Sequence, residues 1–600
     1  MSHSPSRCRR DCAATARPPR GPRYNTGSME ARAQHLHTYF LFPFAVDKEA
    51  VMHDHQRVWE KQRLWTAGLD EWIQDHAMGA GSPVPGKLGR WQRDPFRRFD
   101  MDSFAYQDMV FFHPFVRRVF FDVGEGIAGG EGAPENMLRV YSIPLAHLGE
   151  TGRKLVLRAA DSRGRSASVR VSDLRLFMFA NGIGILTIGV EAGDIPVPTA
   201  LWVNEMMRKV YPSSGRQIRE GRVPNHIELR LEGGGDTQVL AEERFTRCAM
   251  RGYLPPLSRI ITELLYFLNY STQEFEPLLD ERMTVYSYLS VDPASVEPDF
   301  DQSEEYEMLL ARFLYVDRWG EGYRYDSEFT REAMRRQVYR RWAHQGTLYG
   351  FSSYSSVTLV MGRFDCDEHQ LREGFLVHRM FMSRYYLQAV VALFYRATLL
   401  DFSERTALVS RLLSRKFGSY DITEEDTRMV TRLMAEVQLF SNYWYFSELA
   451  NKDEEIEHFQ MQCAEFRVPQ MKAEIEQEIE KLNNTLERIY QQRNTESINR
   501  LAMLSMILGG GAMITGYFGM NFGREFERMF FSGETAAGVH YTSIIAITLL
   551  VVGSVLFTIF LVASNWSDYR KILLPGKTDK LESLRRTAGF GEEPEEEEAE

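Results

Sequence analysis

The stretch Tyr517-Phe518-Gly519-Met520-Asn521-Phe522 lies at the end of the first of two long apolar segments. That segment runs from Leu501 to Phe522, 22 residues without a charged side chain, and the second runs from Tyr541 to Ala563, 23 more. An α-helix needs about 20 apolar residues to cross the hydrocarbon core of a bilayer. The sequence therefore predicts a two-helix transmembrane hairpin that follows a large polar body.

The chain resembles the CorA-like family of magnesium and divalent cation transporters, because it has the triplet Gly519-Met520-Asn521 at the outer end of the first of two C-terminal spans. The likeness is close from Ile514 to Phe522 and extends in pattern from about Met471 to Lys577. It implies a membrane channel or transporter for divalent metal cations, with Mg²⁺ first and Co²⁺ or Ni²⁺ as further ions, and not an enzyme. It also implies a homopentamer, flux driven by the membrane potential, and closure of the pore by cytosolic metal.

The resemblance implies a selectivity filter at Gly519, Met520 and Asn521. Asn521 would offer an amide carbonyl to the waters around the ion, which suits Mg²⁺ because that ion dehydrates reluctantly. Gly519 would let backbone carbonyls approach the axis. Gap-free matching to the family gives the pore-lining and gate positions as Thr495, Ile498, Leu501, Gly509 and Ala512. No cofactor is expected beyond Mg²⁺ itself, as transported and regulatory ion, and the regulatory site stays unassigned.

Two departures from the family leave alternatives open. Gly509-Gly510-Gly511 stands where the family has bulkier residues and a proline, which weakens the gate assignment and favours close helix packing. Met529 is followed by Phe530 instead of the family's Pro-Glu-Leu. A Zn²⁺ or broad divalent cation transporter of the same superfamily is the alternative, and a membrane-anchored sensor or enzyme is the alternative of another class. Gly519 to Asn521 could also act only as a helix cap.

One long helix is predicted ahead of the first apolar segment. Pro469 is a start signal, and no other proline occurs before Pro575, so the helix can run from Gln470 to Asn521. Four glutamates in its early turns are typical of a solvent-exposed face, namely Glu474, Glu476, Glu478 and Glu480. The apolar stripe that favours association recurs every three or four residues, at Met471, Ile475, Ile479, Leu482, Leu486 and Ile489.

Further helices are predicted upstream. Thr423 with Asp426 is a capping pattern, and it predicts a helix from about Glu424 to Phe466. The apolar block from Phe375 to Leu400 is interrupted by charged side chains, so it predicts a buried helix and not a third span.

The earlier part of the chain predicts an α+β cytosolic domain, an antiparallel sheet flanked by helices. Asn181-Gly182 between two apolar runs, Arg175 to Phe179 and Ile183 to Val190, indicates a β-hairpin. Alternating apolar residues predict further strands, and helical patterns occur at Trp202 to Val210 and Glu304 to Tyr315. The alternating pairs are Leu155 with Leu157, Val169 with Val171, and Val357 with Leu359.

These patterns divide the chain into segments. Residues 1–28 are expected to be a disordered extension without a secretory leader, or to precede a true start at Met29. The remaining predicted segments are a cytosolic α/β domain with insertions (29–365), its helical part (366–468), the stalk helix that continues into the first transmembrane helix (469–522), an extracytoplasmic loop (523–540), the second transmembrane helix (541–563), and a basic then acidic cytoplasmic tail (564–600).

Charge and cysteine content narrow the class of protein. The net charge of −11, with seven glutamates among the last nine residues, argues against a nucleic-acid partner. Five scattered cysteines indicate a reducing compartment without a disulfide framework. Asp365 to His369 mixes metal-ligand types in one short run. The expected partners are the lipid bilayer, divalent cations and further copies of the chain. Basic residues after the second span predict an inner-membrane protein with both termini cytoplasmic, namely Arg570, Lys571, Lys577 and Lys580.

Overall fold

The computed structural model describes residues 29–54, 65–75, 83–95, 110–121, 137–212, 214–245, 255–279, 282–320, 325–362, 371–417, 423–519 and 541–564. The chain divides into two compact units. The sheet unit comprises Met1–Arg411 and Thr431–Glu478, and the C-terminal unit comprises Leu412–Val430 and Ile479–Glu600.

Among the described residues, thirteen strands form one sheet in the order β11-β12-β13-β10-β1-β6-β5-β4-β7-β8, with β2, β3 and β9 paired at its side. The strands are β1 (Arg32–Val46), β2 (Gln92–Arg93), β3 (Leu138–Ser142), β4 (Lys154–Ala160), β5 (Ser166–Phe179), β6 (Ile183–Pro196), β7 (His226–Gly233), β8 (Asp236–Arg244), β9 (Phe275–Pro277), β10 (Thr284–Val291), β11 (Val338–Tyr339), β12 (Thr347–Phe351) and β13 (Ser355–Met361).

The helices of the described residues belong to both units. They are α1 (Lys48–Asp54), α2 (Trp65–Asp75), α3 (Pro83–Lys87), α4 (Pro114–Phe120), α5 (Ala146–Glu150), α6 (Val197–Met207), α7 (Gly215–Arg219), α8 (Arg259–Leu264), α9 (Glu304–Leu314), α10 (Ser327–Gln337), α11 (Leu371–Met382), α12 (Arg384–Phe417), α13 (Glu424–Leu439), α14 (Asp453–Glu465), α15 (Val468–Gly519) and α16 (Tyr541–Ser564).

The predicted hairpin at Asn181-Gly182 is confirmed. It joins β5 to β6, which pair antiparallel. Gly182 adopts a φ of 96°, a conformation that L side chains rarely take, and its amide donates to the carbonyl of Phe179 at 3.0 Å. The side-chain oxygen of Asn181 accepts from the amide of Ile183 at 3.2 Å. The pair thus closes the turn for both strands.

Strand β1 shows how the two faces of the sheet differ. Side chains alternate along a strand, and those of Leu36 and Phe40 enter a large apolar core. The opposite face is aromatic and polar, since the Tyr39 ring lies 4.4 Å from that of Tyr386 on α12, centroid to centroid. The same helix places Phe394 in a stack on Phe179 at 3.9 Å. The block at 375–400 is therefore a buried helical layer, as predicted, although Ser383 separates α11 from α12.

Two predictions about this unit are wrong in part. The sheet is not purely antiparallel, because β10 and β13 pair in parallel; the long connection through α9, α10 and two further strands makes this possible. The single helix expected from Glu424 to Phe466 is interrupted, because α13 ends in a short π-helical turn at Phe440–Trp444 and α14 starts only at Asp453. The carbonyl of Trp444 accepts from the Tyr395 hydroxyl at 2.9 Å, which anchors this break.

The start of α13 and the long α15 are as the sequence predicts. Thr423 and Asp426 cap each other: the Asp426 carboxylate accepts from the Thr423 amide at 2.8 Å, and the Asp426 amide donates to the Thr423 hydroxyl at 3.2 Å. Helix α15 is continuous from Val468 to Gly519. Among the residues that the structure describes, no helix has both the length and the apolar character that a membrane crossing requires.

Candidate functional site

The predicted pore positions lie on α15. Gly519 is its last residue, while Met520 and Asn521 lie outside the described residues. With 3.6 residues per turn, the intervals between the five upstream positions place them on one side of the helix. These positions are Thr495, Ile498, Leu501, Gly509 and Ala512.

The side chains on this part of α15 are exposed in the single chain. Ile498 is 60% and Leu501 67% exposed. The Thr495 hydroxyl donates to the carbonyl of Gln491 at 2.8 Å, so this polar group is satisfied within the helix. A Cβ built on Gly509 would meet nothing within 4 Å. Apolar surface on this side therefore needs a partner other than the chain's own described residues.

Helix α16 has the same character. Its exposed apolar side chains include Leu549 at 67% and Phe560 at 66%. These side chains therefore have little apolar cover from the described residues of the single chain.

Several sequence-predicted ligand groups fall elsewhere. Asp365 to His369, the loop 523–540 and the acidic tail lie outside the described residues. The stalk glutamates are exposed, as predicted, namely Glu474, Glu476, Glu478 and Glu480. In the same stretch the apolar stripe is buried at Ile475, Ile479, Leu482 and Leu486. The described part of the chain thus gives no carboxylate cluster for a regulatory Mg²⁺.

A histidine cluster that the sequence analysis missed lies on the aromatic face of the sheet unit. It consists of His35, His37 and His378, whose ring nitrogens lie within 4.8 Å of one another. His35 and His37 are two residues apart on β1 and so point to the same face. His378 comes from α11, which also places Phe381 against the ring of Tyr286, with 4.3 Å between centroids.

Polar contacts fix the position of His37. Its Nδ1 lies 3.0 Å from Nε2 of His378 and 3.5 Å from a carboxylate oxygen of Glu191, the residue opposite it on β6. Its Nε2 lies 3.3 Å from the hydroxyl of Ser172 on β5. Imidazole nitrogens and a carboxylate oxygen therefore converge on one small volume.

Burial determines the charge state of these rings. Desolvation, followed by the neighbouring His35 and Arg170, lowers the pKa of His37 to about 3. Desolvation and the charge of His37 lower the pKa of His378 to about 3 as well. The rings of His37 and His378 are therefore neutral at physiological pH, the form in which histidine binds metals.

A local sequence pattern connects only two of the three histidines in this cluster. His-x-His inside an alternating strand pattern at 35–37 indicates two imidazoles on one face. His378 is more than 300 residues away in the chain, and only the packing of α11 on the sheet brings it close.

A second polar group is buried where α12 meets α14. It lies near a small pocket lined by residues that include Tyr385, Gln388 and His458. The Glu455 side chain is 3% exposed, and its carboxylate lies 3.8 Å from the guanidinium of Arg384. Desolvation raises the pKa of Glu455 to about 7; a hydrogen bond from its own backbone opposes this shift, and the charge of Glu454 adds to it. Desolvation lowers the pKa of His458 to about 3.

The likeness of this chain to known proteins covers part of its length. No match to a curated protein is found. The complete structure of the CorA magnesium transporter from Methanocaldococcus jannaschii is similar with a TM-score of 0.20 and 10% identity, over 47% of this chain and 91% of that one. A likeness of this size carries no argument about fold or function. The family model described as CorA-like Mg²⁺ transporter protein matches residues 428–563. The resemblance first seen at Gly519-Met520-Asn521 is thereby confirmed: the part of this chain from α13 to the end of α16 is similar to the CorA-like Mg²⁺ transporter family.

Proposed function

We propose that this chain forms a membrane channel that carries divalent cations, with Mg²⁺ as its principal ion, and that it is not an enzyme. The observation that carries the proposal is the match of residues 428–563 to the CorA-like family model. The matched region contains both charge-free segments and the Gly519-Met520-Asn521 triplet at the end of the first. Conduction therefore rests on the part of the chain that has family support, and not on the large sheet.

The exposed apolar side chains of α15 and α16 support a lipid or interhelical environment. Side chains such as Leu501 and Leu549 are each 67% exposed in the single chain. In a membrane they would face lipid tails or neighbouring helices, at no cost in exposed apolar area. Two spans cannot enclose a water-filled path, so several copies must surround one axis. The proposed assembly is a homopentamer with α15 nearest the axis.

The proposed filter acts on the hydrated ion. Mg²⁺ holds its water in near-octahedral geometry and gives it up reluctantly. A ring of Asn521 amide carbonyls would accept hydrogen bonds from those waters, and Gly519 would bring backbone carbonyls close without a side chain. Below this ring, Ile498 and Leu501 would form an apolar constriction that closes by dewetting.

The membrane potential is sufficient to drive uptake. Each elementary charge gains about 2.3 kcal/mol per 100 mV, so a divalent ion gains about 4.6 kcal/mol when the interior is negative. The sequence contains no Gly-x-x-x-x-Gly-Lys-Ser/Thr nucleotide-binding motif. Accumulation would then require closure by cytosolic metal, and both termini would lie on the cytoplasmic side.

The test is Mg²⁺ uptake into proteoliposomes under an inside-negative potential, with the wild type beside Asn521→Ala. Each lost amide removes a hydrogen bond worth about 0.5–1.5 kcal/mol, and a ring removes several at once, so uptake should fall at least about tenfold or lose its selectivity. Asn484→Ala is the matched control, because Asn484 is an exposed amide on the same helix. It should leave uptake unchanged.

The ion competition separates the alternatives. Zn²⁺ uptake in the absence of Mg²⁺ uptake would replace the Mg²⁺ assignment by a Zn²⁺ transporter. Equal uptake by the wild type and Asn521→Ala would rule out Asn521 as the filter. Absence of flux for either ion in reconstituted, correctly assembled protein would overturn transport and favour a membrane-anchored sensor.

A further inference from the structure

We propose that His35, His37 and His378 form a binding site for one Zn²⁺ ion in the sheet unit, with Glu191 beside it as a source of a fourth ligand. This site lies outside the region that matches the family model, and it does not depend on the transport proposal. Three imidazoles and an oxygen ligand are a donor set that Zn²⁺ accepts readily. Mg²⁺ prefers an all-oxygen shell, so the cluster selects against the proposed cargo.

The sheet register builds most of the site. His35 and His37 lie on one face of β1, and Glu191 is the direct partner of His37 on β6. Tyr288 is the partner of His37 on β10, and its ring centroid is 5.0 Å from that of His378. The three nitrogens are within 4.8 Å of one another, whereas ligands at about 2.0–2.1 Å from Zn²⁺ lie about 3.3–3.5 Å apart in a tetrahedron. Small side-chain rotations would close the site.

A β-bulge supplies the contact behind the ligands. On β5, Val171 pairs with Val190 and Asp173 with Gly189, which leaves Ser172 as the extra residue. Bulges redirect side chains, and here the Ser172 hydroxyl reaches within 3.3 Å of Nε2 of His37. When Nε2–H donates to this hydroxyl, the lone pair of Nδ1 faces His378 and Glu191. Second-shell hydrogen bonds of this kind orient metal-binding histidines.

Gly189 makes room for this arrangement. A Cβ added to it would lie 2.9 Å from the Tyr39 ring and 3.1 Å from the Ser172 hydroxyl. The space that glycine leaves is therefore filled by the redirected serine and by the aromatic wall of the cluster.

The charges around the cluster are mixed. Arg170 and Arg175 oppose a bound cation, whereas Glu191 and Asp173 favour it, and Arg170 forms an ion pair with Glu191. In the tautomer whose Nε2–H donates to Ser172, a hydrogen bond from Nε2 of His378 satisfies Nδ1 of His37 but leaves the Glu191 oxygen facing that acceptor nitrogen. A divalent ion satisfies both nitrogens and the carboxylate together.

The experiment uses the full chain, purified in detergent and freed of metal, in the Asn521→Ala background so that the proposed pore filter does not contribute. Co²⁺ serves as the probe, because tetrahedral nitrogen-ligated Co²⁺ absorbs visible light far more strongly than hydrated octahedral Co²⁺. We expect the intense spectrum with one Co²⁺ per chain, displaced by one equivalent of Zn²⁺ and unaffected by excess Mg²⁺.

Substitutions test which side chains bind the metal ion. His378→Gln should abolish the tetrahedral spectrum, and Ser172→Ala, which removes no ligand, should weaken Zn²⁺ binding about 10- to 100-fold. His344→Gln is the matched control, because His344 is exposed in the same unit. If His378→Gln fails to fold, Ser172→Ala and His35→Gln carry the test. A wild-type spectrum that stays octahedral, or Zn²⁺ affinity that none of these variants changes, would overturn the site.

Discussion

The sheet unit and the two C-terminal helices, α15 and α16, differ in how deeply their apolar side chains are buried. Phe394 is 0% exposed and stacked on Phe179, whereas Leu549 on α16 is 67% exposed. The sheet unit finds its apolar partners within the same chain, while α15 and α16 leave large apolar side chains exposed among the described residues.

The largest expected effect is on the stability of the sheet unit. Phe394→Ala should lower the free energy of unfolding by about 3–5 kcal/mol, because it leaves a cavity against Phe179. Tryptophan fluorescence during denaturation is a suitable measurement, since eight of the nine tryptophans lie at or before residue 444. Phe329→Ala is the control, because Phe329 is 69% exposed. Equal losses for both variants would contradict the packing of α12 on the sheet.

A second pair of variants compares the two environments directly. Leu549→Arg should cost about 2.5–3.5 kcal/mol of membrane insertion if α16 lies in lipid. Leu408→Arg on α12 should change stability by less than about 0.5 kcal/mol, although Leu408 is also exposed, at 55%. The fraction of each variant recovered in the membrane reports the difference. A Leu549→Arg protein that inserts as well as the wild type would remove the distinction between the regions.

The smallest effect concerns the buried carboxyl of Glu455. Its pKa is raised from 4.5 to about 7 in the folded chain, so the folded state binds more protons than the unfolded state between these values. Stability contributed by the protonated form is therefore present below pH 4.5 and is lost as the pH rises to about 7. Glu455→Gln should raise stability at pH 8 by about 1–3 kcal/mol and give no gain at pH 4.

Denaturation at the two pH values checks this prediction. Glu465→Gln is a control from the same helix, since Glu465 lies at the end of α14 and its carboxylate accepts a hydrogen bond from Gln337 at 2.8 Å. A Glu455→Gln variant that gains as much stability at pH 4 as at pH 8 would show that the carboxyl is not held protonated by burial.

Local signals in the sequence were reliable where the chain itself satisfies them. Asn181-Gly182 gave the hairpin between β5 and β6, because a residue with positive φ is needed there. Thr423 and Asp426 gave the start of α13 through their mutual hydrogen bonds. The end of that helix was not predictable in the same way. The turn at Phe440–Trp444 depends on the Tyr395 hydroxyl, which comes from another helix.

The two candidate sites differ in the same respect. The triplet at Gly519 to Asn521 could be recognised because its residues are adjacent and follow a long charge-free segment. The histidine cluster joins β1 to α11 across more than 300 residues, and no local pattern connects His37 with His378.

The sequence by itself determined the β-hairpin at Asn181-Gly182, the long helix α15, the charge-free C-terminal segments and the family resemblance, because each depends on residues close together in the chain. Only the tertiary structure decided the parallel pairing of β10 with β13, the break after α13 and the meeting of three histidines. These depend on which distant side chains and backbone groups pack against one another, and the free energy of such contacts is not contained in any local stretch of sequence.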